Sequence, residues 1–187
     1  MQDSYMKQDI EDAFLELSKE EAFDKITVTQ IVKKCGISRQ TFYYHFKDAM
    51  EVAEAALIML IETTGEKAKN CTDERDSITT FVTCMQEHKS IFKNMYYSKQ
   101  KDQLISYMLA NLENILMNMP VMHQENQMMD KKKFAHYIDF YSYGLLGILI
   151  KKIVDADTPT VEITNEIYEI LSFNMKMYNI SETISTH

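Results

Sequence analysis

Helix start and stop signals are closely spaced in one stretch near the N-terminus, TVTQIVKKCGISRQTFYYHFKD. It begins with Thr27, and Thr27 followed by Gln30 is a capping-box pattern that predicts the start of a helix. Gly36 predicts the end of that helix, because glycine readily adopts the positive φ that a helix C-terminus usually needs. Ser38 is a favourable N-cap for a second, shorter helix. Two helices joined by so tight a turn predict a helix-turn-helix motif.

The second helix of the motif, predicted to end at about Phe46, has one apolar side. Phe42 and Phe46 are four residues apart and therefore lie on the same face. Tyr43 falls outside that face. Asp48 and Glu51 form another capping-box pattern, which predicts that a long helix follows.

Basic residues concentrate in the same part of the chain. Residues 25–47 contain five Lys or Arg residues and no Asp or Glu, although the chain as a whole has a formal net charge of −8. A basic window on a helix-turn-helix pattern is expected of a surface that contacts phosphate. Arginine recognises guanine well, so Arg39 is a candidate base reader. A phosphate contact or a solvent-exposed position fits Arg39 equally.

The remainder of the chain is predicted to be helical as well. Four glycines and two prolines in 187 residues are too few for a turn-rich β protein. Apolar residues recur at helical spacing in segments 4–19, 49–69, 77–87, 88–97, 99–119, 130–154 and 161–178, with polar breaks at 70–76 and 120–128. We therefore predict an all-α fold of about nine helices. It comprises an N-terminal three-helix helix-turn-helix DNA-binding domain (1–48) and a helical C-terminal domain (49–187), in which 49–70 is a connecting helix.

The run TFYYHFKD after Gly-Ile-Ser resembles the DNA-binding motif of TetR/AcrR-type transcriptional regulators. The resemblance covers about residues 5–62 and is mainly architectural beyond them. The later segment YSYGLLGILIKK is loosely similar to regulators of dihydroxyacetone kinase operons. There is one departure: Ala49 occupies a position where the family often has a lysine aimed at a phosphate. This implies either lower affinity or that Lys47 supplies the charge.

The resemblance implies which residues contact DNA. Tyr43 matches a position that reaches bases or phosphates in the major groove, and Arg39 and Gln40 match variable positions that help to set sequence preference. The other predicted DNA-binding residues, which match phosphate-contacting or packing positions or supply hydroxyls and charge, are Thr27, Thr29, Ser38, Thr41, Tyr44, His45 and Lys47.

The resemblance also implies an effector pocket in the C-terminal domain. Its candidate lining combines apolar walls with a few polar groups. The candidates, for each of which simple core packing is the alternative, are His88, Tyr96, Tyr97, Tyr107, Met108, Tyr137 and Tyr141.

The last two predicted helices are apolar on more than one side, and such helices are buried on most sides. Two glycines within a helix each cost about 1 kcal/mol relative to alanine, which close helix–helix approach would offset. In TetR-type proteins two such helices pair with their symmetry mates to form the dimer. The predicted interface residues are Tyr137, Gly144, Gly147, Ile148, Ile167, Ile170 and Leu171. The alternative is that both helices form the core of a monomer.

No catalytic or cofactor-binding pattern occurs in the sequence. His123 with Glu125, and His136 with Asp139, supply only two metal ligands each, which is too few for a site. We therefore expect no metal, no cofactor and no enzymatic activity. Three cysteines without metal-type spacing, no signal-peptide pattern and no apolar run of membrane-spanning length predict a cytoplasmic protein with no membrane partner.

Together these expectations describe a DNA-binding transcriptional regulator. Its predicted partners are a palindromic double-stranded DNA operator, a second copy of itself, and an unknown small-molecule or protein effector that controls DNA affinity. Repression is the more common outcome in the family that the chain resembles. The alternatives are an activator controlled by a protein partner, an effector-binding protein that no longer binds DNA, and an enzyme with a helical active site.

Overall fold

The computed structural model describes residues 2–71, 73–117, 130–155 and 158–185. Within these ranges the chain forms nine α-helices and no β-strand, which confirms the predicted all-α class. The helices are α1 (Gln2–Ser18), α2 (Val28–Cys35), α3 (Arg39–His45), α4 (Ala49–Lys69), α5 (Glu74–Glu87), α6 (Lys89–Tyr96), α7 (Lys101–Met117), α8 (Lys131–Ile150) and α9 (Thr160–Ser185). A 3-10 turn (Phe23–Lys25) precedes α2, and a π-helical turn (Lys151–Asp155) follows α8. The predicted connector at 120–128 lies outside the described residues.

Local capping explains where several helices begin. α5 begins three residues before its predicted start, because the Asp73 carboxylate accepts a hydrogen bond from the Asp76 N–H at 2.8 Å. Asp130 caps α8 in the same way, accepting from the N–H groups of Lys132 and Lys133 at 3.0 and 3.1 Å. α4 begins and ends where the sequence predicts.

Tertiary packing divides the chain into two compact units. The first comprises Met1–Thr63 and His88–Asn111, and the second comprises Thr64–Glu87 and Leu112–His187. The helix-turn-helix therefore shares its unit with α6, which follows it by more than 40 residues in the chain. The functional domain boundary between residues 48 and 49 stays a prediction.

The core of the first unit forms around α1. Ile10 and Phe14 of α1 are fully buried, and the Phe14 ring meets the Phe23 ring edge-on at a centroid distance of 5.0 Å. α1 packs against α2 on one side and against α6 on another. Ile31 of α2 and Phe42 of α3 are also fully buried. Burial of these side chains is what holds the short helices α2 and α3 in place, because helices of 8 and 7 residues are marginal in isolation.

In the second unit, α9 packs along α5. The buried apolar residues on these two helices are Ile78, Val82 and Met85 on α5, and Ile163, Ile167 and Leu171 on α9. Polar contacts fix their register: Arg75 lies 4.5 Å from the Tyr168 ring centroid and donates to the Asn165 side chain.

The sequence predicts that α8 is buried on most sides, but within the described chain only one of its sides is buried. Phe134, Ile138, Tyr141, Leu145 and Leu149 are all buried. The opposite side, which carries Phe140, Tyr143, Gly144 and Gly147, is exposed.

Candidate nucleic-acid interface

The capping box at the start of α2 forms as predicted. The Thr27 N–H donates to Gln30 Oε1 at 2.8 Å, and the Gln30 N–H donates to Thr27 Oγ1 at 3.3 Å. The Gln30 side-chain amide also donates to Glu21 Oε1 at 2.9 Å, which ties the start of α2 to the chain after α1. Thr27 and Thr29 are exposed at this helix end, where free N–H groups and the helix dipole favour an anion.

The turn between α2 and α3 depends on the backbone conformation of Gly36. Gly36 has φ 68° and ψ 29°, the left-handed conformation that ends a helix. The N–H groups of Gly36 and Ile37 both donate to the Val32 carbonyl oxygen. Ser38 then caps α3, accepting from the Thr41 N–H at 3.0 Å. These local bonds set the entry direction of α3.

α3 has one buried and one exposed side. Phe42 is fully buried and Phe46, immediately after the helix, is 3% exposed. Tyr43 and Tyr44 are 53% and 73% exposed. The Tyr43 ring packs edge-on against the Phe42 ring, with centroids 5.4 Å apart. The exposed Tyr43 side chain is thus packed against a buried core residue.

Two further polar side chains lie on the exposed side of α3. Arg39 and Gln40 are exposed, and each is one helical turn before one of the two exposed tyrosines. Together, Arg39, Gln40, Tyr43 and Tyr44 offer a guanidinium, an amide and two phenols on one continuous surface. Guanidinium and amide groups can make paired hydrogen bonds to base edges, whereas a phenol can reach either a base or a phosphate.

The start of α4 differs in one detail from the predicted capping box. Asp48 Oδ1 accepts from the N–H groups of Met50 and Glu51, each at 3.0 Å, as an N-cap should. The Glu51 carboxylate, however, accepts from the N–H of Lys47 and not from that of Asp48. The bond fixes the backbone of Lys47, whose side chain is exposed beside α3.

The structure brings all ten predicted DNA-binding residues into the first unit. The exposed ones are Thr27, Thr29, Ser38, Arg39, Gln40, Tyr43, Tyr44 and Lys47, and the half-buried ones are Thr41 and His45. The Ser38 and Thr41 hydroxyls are 2.9 Å apart and bonded to each other. His45 packs edge-on against Tyr44 at 4.9 Å. Their assignment as DNA contacts stays a prediction.

Three lysines near the motif were not among the predicted contacts. Lys25, Lys33 and Lys34 are all exposed. The basic window in the sequence already contained them, and the structure adds that each reaches solvent. They extend the positive charge beyond α3.

The predicted pocket residues divide between the two units. His88, Tyr96, Tyr97, Tyr107 and Met108 belong to the first unit, and Tyr137 and Tyr141 to the second. Met108 and Tyr141 are buried, whereas Tyr97 is 61% exposed. The Tyr137 and Tyr141 rings pack together at 4.6 Å. The hydrogen bond between Tyr107 and Glu54 raises the pKa of the Tyr107 phenol. Their role in binding an effector stays a prediction.

The residues predicted for the dimer interface differ in exposure: some are accessible on α8 and α9, and others are buried within the subunit. Gly144 and Gly147 are exposed, Tyr137 and Ile148 are half-buried, and Ile170 is 38% exposed. Ile167 and Leu171 are buried within the chain itself. Phe140 and Tyr143 are 73% and 65% exposed on the same side of α8 as the two glycines. These two aromatic residues enlarge the predicted apolar surface.

Other kinds of site find little support in the described part of the chain. His136 Nδ1 lies 3.8 Å from Asp139 Oδ2 at the surface, and no group of three His, Cys, Asp or Glu residues there is arranged to hold a metal ion. His123 and Glu125 lie outside the described residues. No described helix combines the length and apolarity needed to cross a membrane.

Comparison with known families finds two matches that together cover most of the chain. Residues 10–56 match the model described as bacterial regulatory proteins, tetR family. Residues 72–173 match the model TetR_C_8, described as transcriptional regulator C-terminal region. The comparison with curated proteins finds no match.

Several solved structures share this fold at low sequence identity. The dihydroxyacetone kinase operon activator DhaS is 17% identical, with a TM-score of 0.68 over 92% of this chain and 97% of that one. A TetR-family transcriptional regulator from Syntrophomonas wolfei is 14% identical, with a TM-score of 0.60 over 93% and 95%. The fatty acid degradation regulator FadR from Bacillus halodurans is 13% identical, with a TM-score of 0.57 over 88% and 93%.

Proposed function

This chain belongs to the TetR family of bacterial regulatory proteins, and we propose that it is a homodimer that binds a palindromic operator and represses transcription. The observation that carries the proposal is the exposed side of α3. Four side chains that can donate or accept hydrogen bonds project there from a helix whose other side is locked by Phe42 and Phe46. A rigid base under a polar exposed side is what a recognition helix needs to enter a major groove.

The proposed contacts divide by chemistry. Phosphates are bound by the N-terminus of α2 with Thr27 and Thr29, and by the exposed side chain of Lys47. Base edges are sampled by Arg39, Gln40 and Tyr43. Phosphate contacts set position and bulk affinity, whereas base contacts set the preferred sequence.

The exposed side of α8 is the proposed dimer surface. Phe140, Tyr143, Gly144 and Gly147 follow one another at helical spacing and are all exposed. Large exposed aromatic residues beside glycines suit a helix–helix interface, because the rings supply apolar area and the glycines allow close approach. Ile148 and Ile170 would extend this surface, whereas the predicted interface residues Ile167 and Leu171 are buried within the subunit and are not accessible to a partner. Two copies would then present two recognition helices to half-sites about one helical turn of DNA apart.

Effector control is the third part of the proposal. A ligand in the C-terminal domain would alter the DNA affinity of the dimer, and the tyrosines predicted for the pocket would offer it hydroxyls within apolar walls. Activation controlled by a protein partner is the second candidate, and the likeness to the operon activator DhaS favours the activation part of it. The two candidates differ in whether transcription falls or rises when the protein is bound to its operator.

Selection of bound fragments from the genome of the source organism, followed by fluorescence anisotropy on the selected duplex, tests the DNA-binding function. We expect a palindromic duplex bound tightly and with strong salt dependence. Tyr43→Ala should reduce binding to the non-specific range, about 10⁻⁴–10⁻⁶ M at physiological salt, while the protein remains folded. Tyr43→Phe keeps the ring packed on Phe42 and removes only the hydroxyl, so it separates the hydrogen bond from the packing.

Two outcomes would contradict the proposal. If the wild-type protein selects no fragment, the proposed DNA-binding function is wrong. If Tyr43→Ala binds the selected duplex as tightly as the wild type, α3 is not the recognition helix, because its most firmly supported exposed side chain then contributes nothing.

A further inference from the structure

A second basic window lies outside the helix-turn-helix. Residues 88–101, HKSIFKNMYYSKQK, contain four lysines and no Asp or Glu. They form α6, the following turn and the first residue of α7. In a chain with a net charge of −8, a second window without acidic residues identifies a locally positive surface.

Helical geometry places part of this charge on one face. The apolar residues Ile91, Phe92 and Met95 are buried. Lys93 and Tyr97 are four residues apart and exposed on the other side, and the side chains of Lys99 and Lys101 are also exposed in and after the turn. We define the α6–α7 basic patch as Lys93, Tyr96, Tyr97, Lys99 and Lys101.

The charge of the α6–α7 basic patch is not neutralised by the described part of the chain. Lys19 and Lys152 each form salt bridges with carboxylates, whereas no described carboxylate lies within salt-bridge distance of the three patch lysines. Lys101 Nζ lies 5.6 Å from the Tyr96 ring centroid, and the Tyr96 and Tyr97 rings meet edge-on at 5.4 Å. The contact with Tyr96 does not neutralise Lys101, because an aromatic ring attracts a cation without carrying a net charge.

Hydrogen bonds place α6, which carries part of the patch, near the N-terminus of α2, where phosphate contacts are proposed. Within the first unit, the Asn94 side chain donates to the Ser18 carbonyl oxygen at 2.8 Å. Glu21, only three residues further, accepts from Gln30 in the capping box of α2. Three residues span at most about 11 Å. α6 and the N-terminus of α2 therefore flank the same end of α1.

Two of the acidic side chains in this region already have partners. Glu16 pairs with Lys19, and both carboxylate oxygens of Glu21 accept from the Gln30 amide, at 2.9 and 3.2 Å. The Lys19 ammonium offsets the charge of Glu16, so this carboxylate adds less to the repulsion that an approaching phosphate would meet.

We propose that the α6–α7 basic patch binds the phosphate backbone of the DNA that flanks the operator core. The inference rests on the proposed function and extends it. A phosphate backbone fits the patch better than an acidic protein does, because lysine is depleted in protein–protein interfaces and their cores are anchored by buried aromatic or arginine side chains. The patch instead carries three exposed lysines and one strongly exposed ring, Tyr97. Lysine is well suited to non-directional phosphate contacts, which carry no sequence information.

The test compares duplexes of two lengths. One carries only the selected operator core, and the other adds about one helical turn (~10 bp) at each end, in two versions with unrelated flanking sequences. The variant is Lys93→Gln/Lys99→Gln/Lys101→Gln. The matched control is Lys131→Gln/Lys132→Gln/Lys133→Gln, which removes the same charge from three exposed lysines of the second unit. Affinity is measured by fluorescence anisotropy over a salt series, with thermal melting as a check of folding.

We expect the wild type and the control to bind the long duplexes at least tenfold more tightly than the core, with equal gains from both flanking sequences. The patch variant should bind the core as the wild type does and should show no such gain. Its slope of log affinity against log salt on the long duplex should fall by about 0.9 for each phosphate that the variant no longer neutralises, or by at least about 2 for the dimer.

The inference is overturned if the patch variant keeps the gain, if the control variant loses it equally, or if the wild type shows no gain from the flanks. If the wild type shows no gain from the flanks but binds a labelled polyglutamate peptide that the patch variant does not bind, the patch is assigned to an acidic protein. Each of these results leaves binding to the core intact and so leaves the proposed function standing. Failure of the wild type to bind the core duplex contradicts the proposed function instead.

Discussion

Gly144 on the exposed side of α8 offers a test in which the subunit and the dimer should respond in opposite directions. Apart from its two chain neighbours and the backbone of its own helix, no described atom lies within 4 Å of the place that an added Cβ would occupy. Within one subunit, the change Gly144→Ala therefore introduces no clash. Because alanine has a higher helix propensity than glycine, it should stabilise the folded subunit by about 1 kcal/mol.

The same methyl group should weaken the proposed dimer. If Gly144 packs against the partner's α8, each subunit contributes one additional methyl group to the interface. Overpacking of a close contact costs about 1–3 kcal/mol. The helix-propensity gain is present in the free subunit as well, so it does not offset this cost. The dimer dissociation constant should therefore rise roughly 5- to 150-fold.

Sedimentation equilibrium over a concentration series measures the dissociation constant, and urea unfolding at a concentration where the variant is monomeric measures the stability of the subunit. Gly65→Ala is the matched control, because Gly65 lies within α4 and an added Cβ there would meet only Phe81 Cζ, at an ordinary 3.9 Å. The control should gain subunit stability and leave the dissociation constant unchanged.

The reasoning is refuted if Gly144→Ala leaves the dissociation constant unchanged while its unfolding free energy rises as it does in Gly65→Ala. The exposed side of α8 would then face solvent, and the two copies would have to associate through another surface. A Gly144→Leu variant extends the test, because a larger side chain cannot be accommodated by small shifts of the partner helix.

Two further predictions concern stability. Gly36→Ala should lower the unfolding free energy in urea by about 1–2 kcal/mol, because alanine is strained at a φ of +68°. The added Cβ meets no described atom within 4 Å outside its chain neighbours and its own helix backbone, so the backbone conformation is the source of the loss. An unchanged urea midpoint would show that the turn relaxes. Burial raises the pKa of the Glu11 carboxyl above its value in the unfolded chain. Folding therefore favours the protonated form, and the stability of the wild type should fall as the pH rises through the folded-state pKa. Glu11→Gln should therefore melt at a higher temperature than the wild type at neutral pH, with the gain lost by about pH 4; an equal gain at both pH values would refute the titration argument.

Much of the candidate site was predictable from sequence because its signals are local. The capping box of Thr27 and Gln30, the left-handed Gly36 and the N-cap Ser38 each act over three to five residues. The burial of Phe42 and Phe46 follows from helical spacing once the helix is placed. Helical spacing also placed Phe134, Ile138, Tyr141, Leu145 and Leu149 on one side of α8, and that side is buried.

Tertiary structure alone decided which distant segments lie together. The bond from Asn94 to Ser18 joins residues 76 positions apart, and it brings α6 with its lysines to the end of α1. Sequence showed two apolar sides on α8 but not that one of them, with Phe140 and Tyr143, stays exposed within the chain. Helical periodicity repeats within a few residues, so the sequence identifies which residues share one face of a helix. The partner of each face depends on long-range packing, which minimises the exposed apolar area of the whole chain.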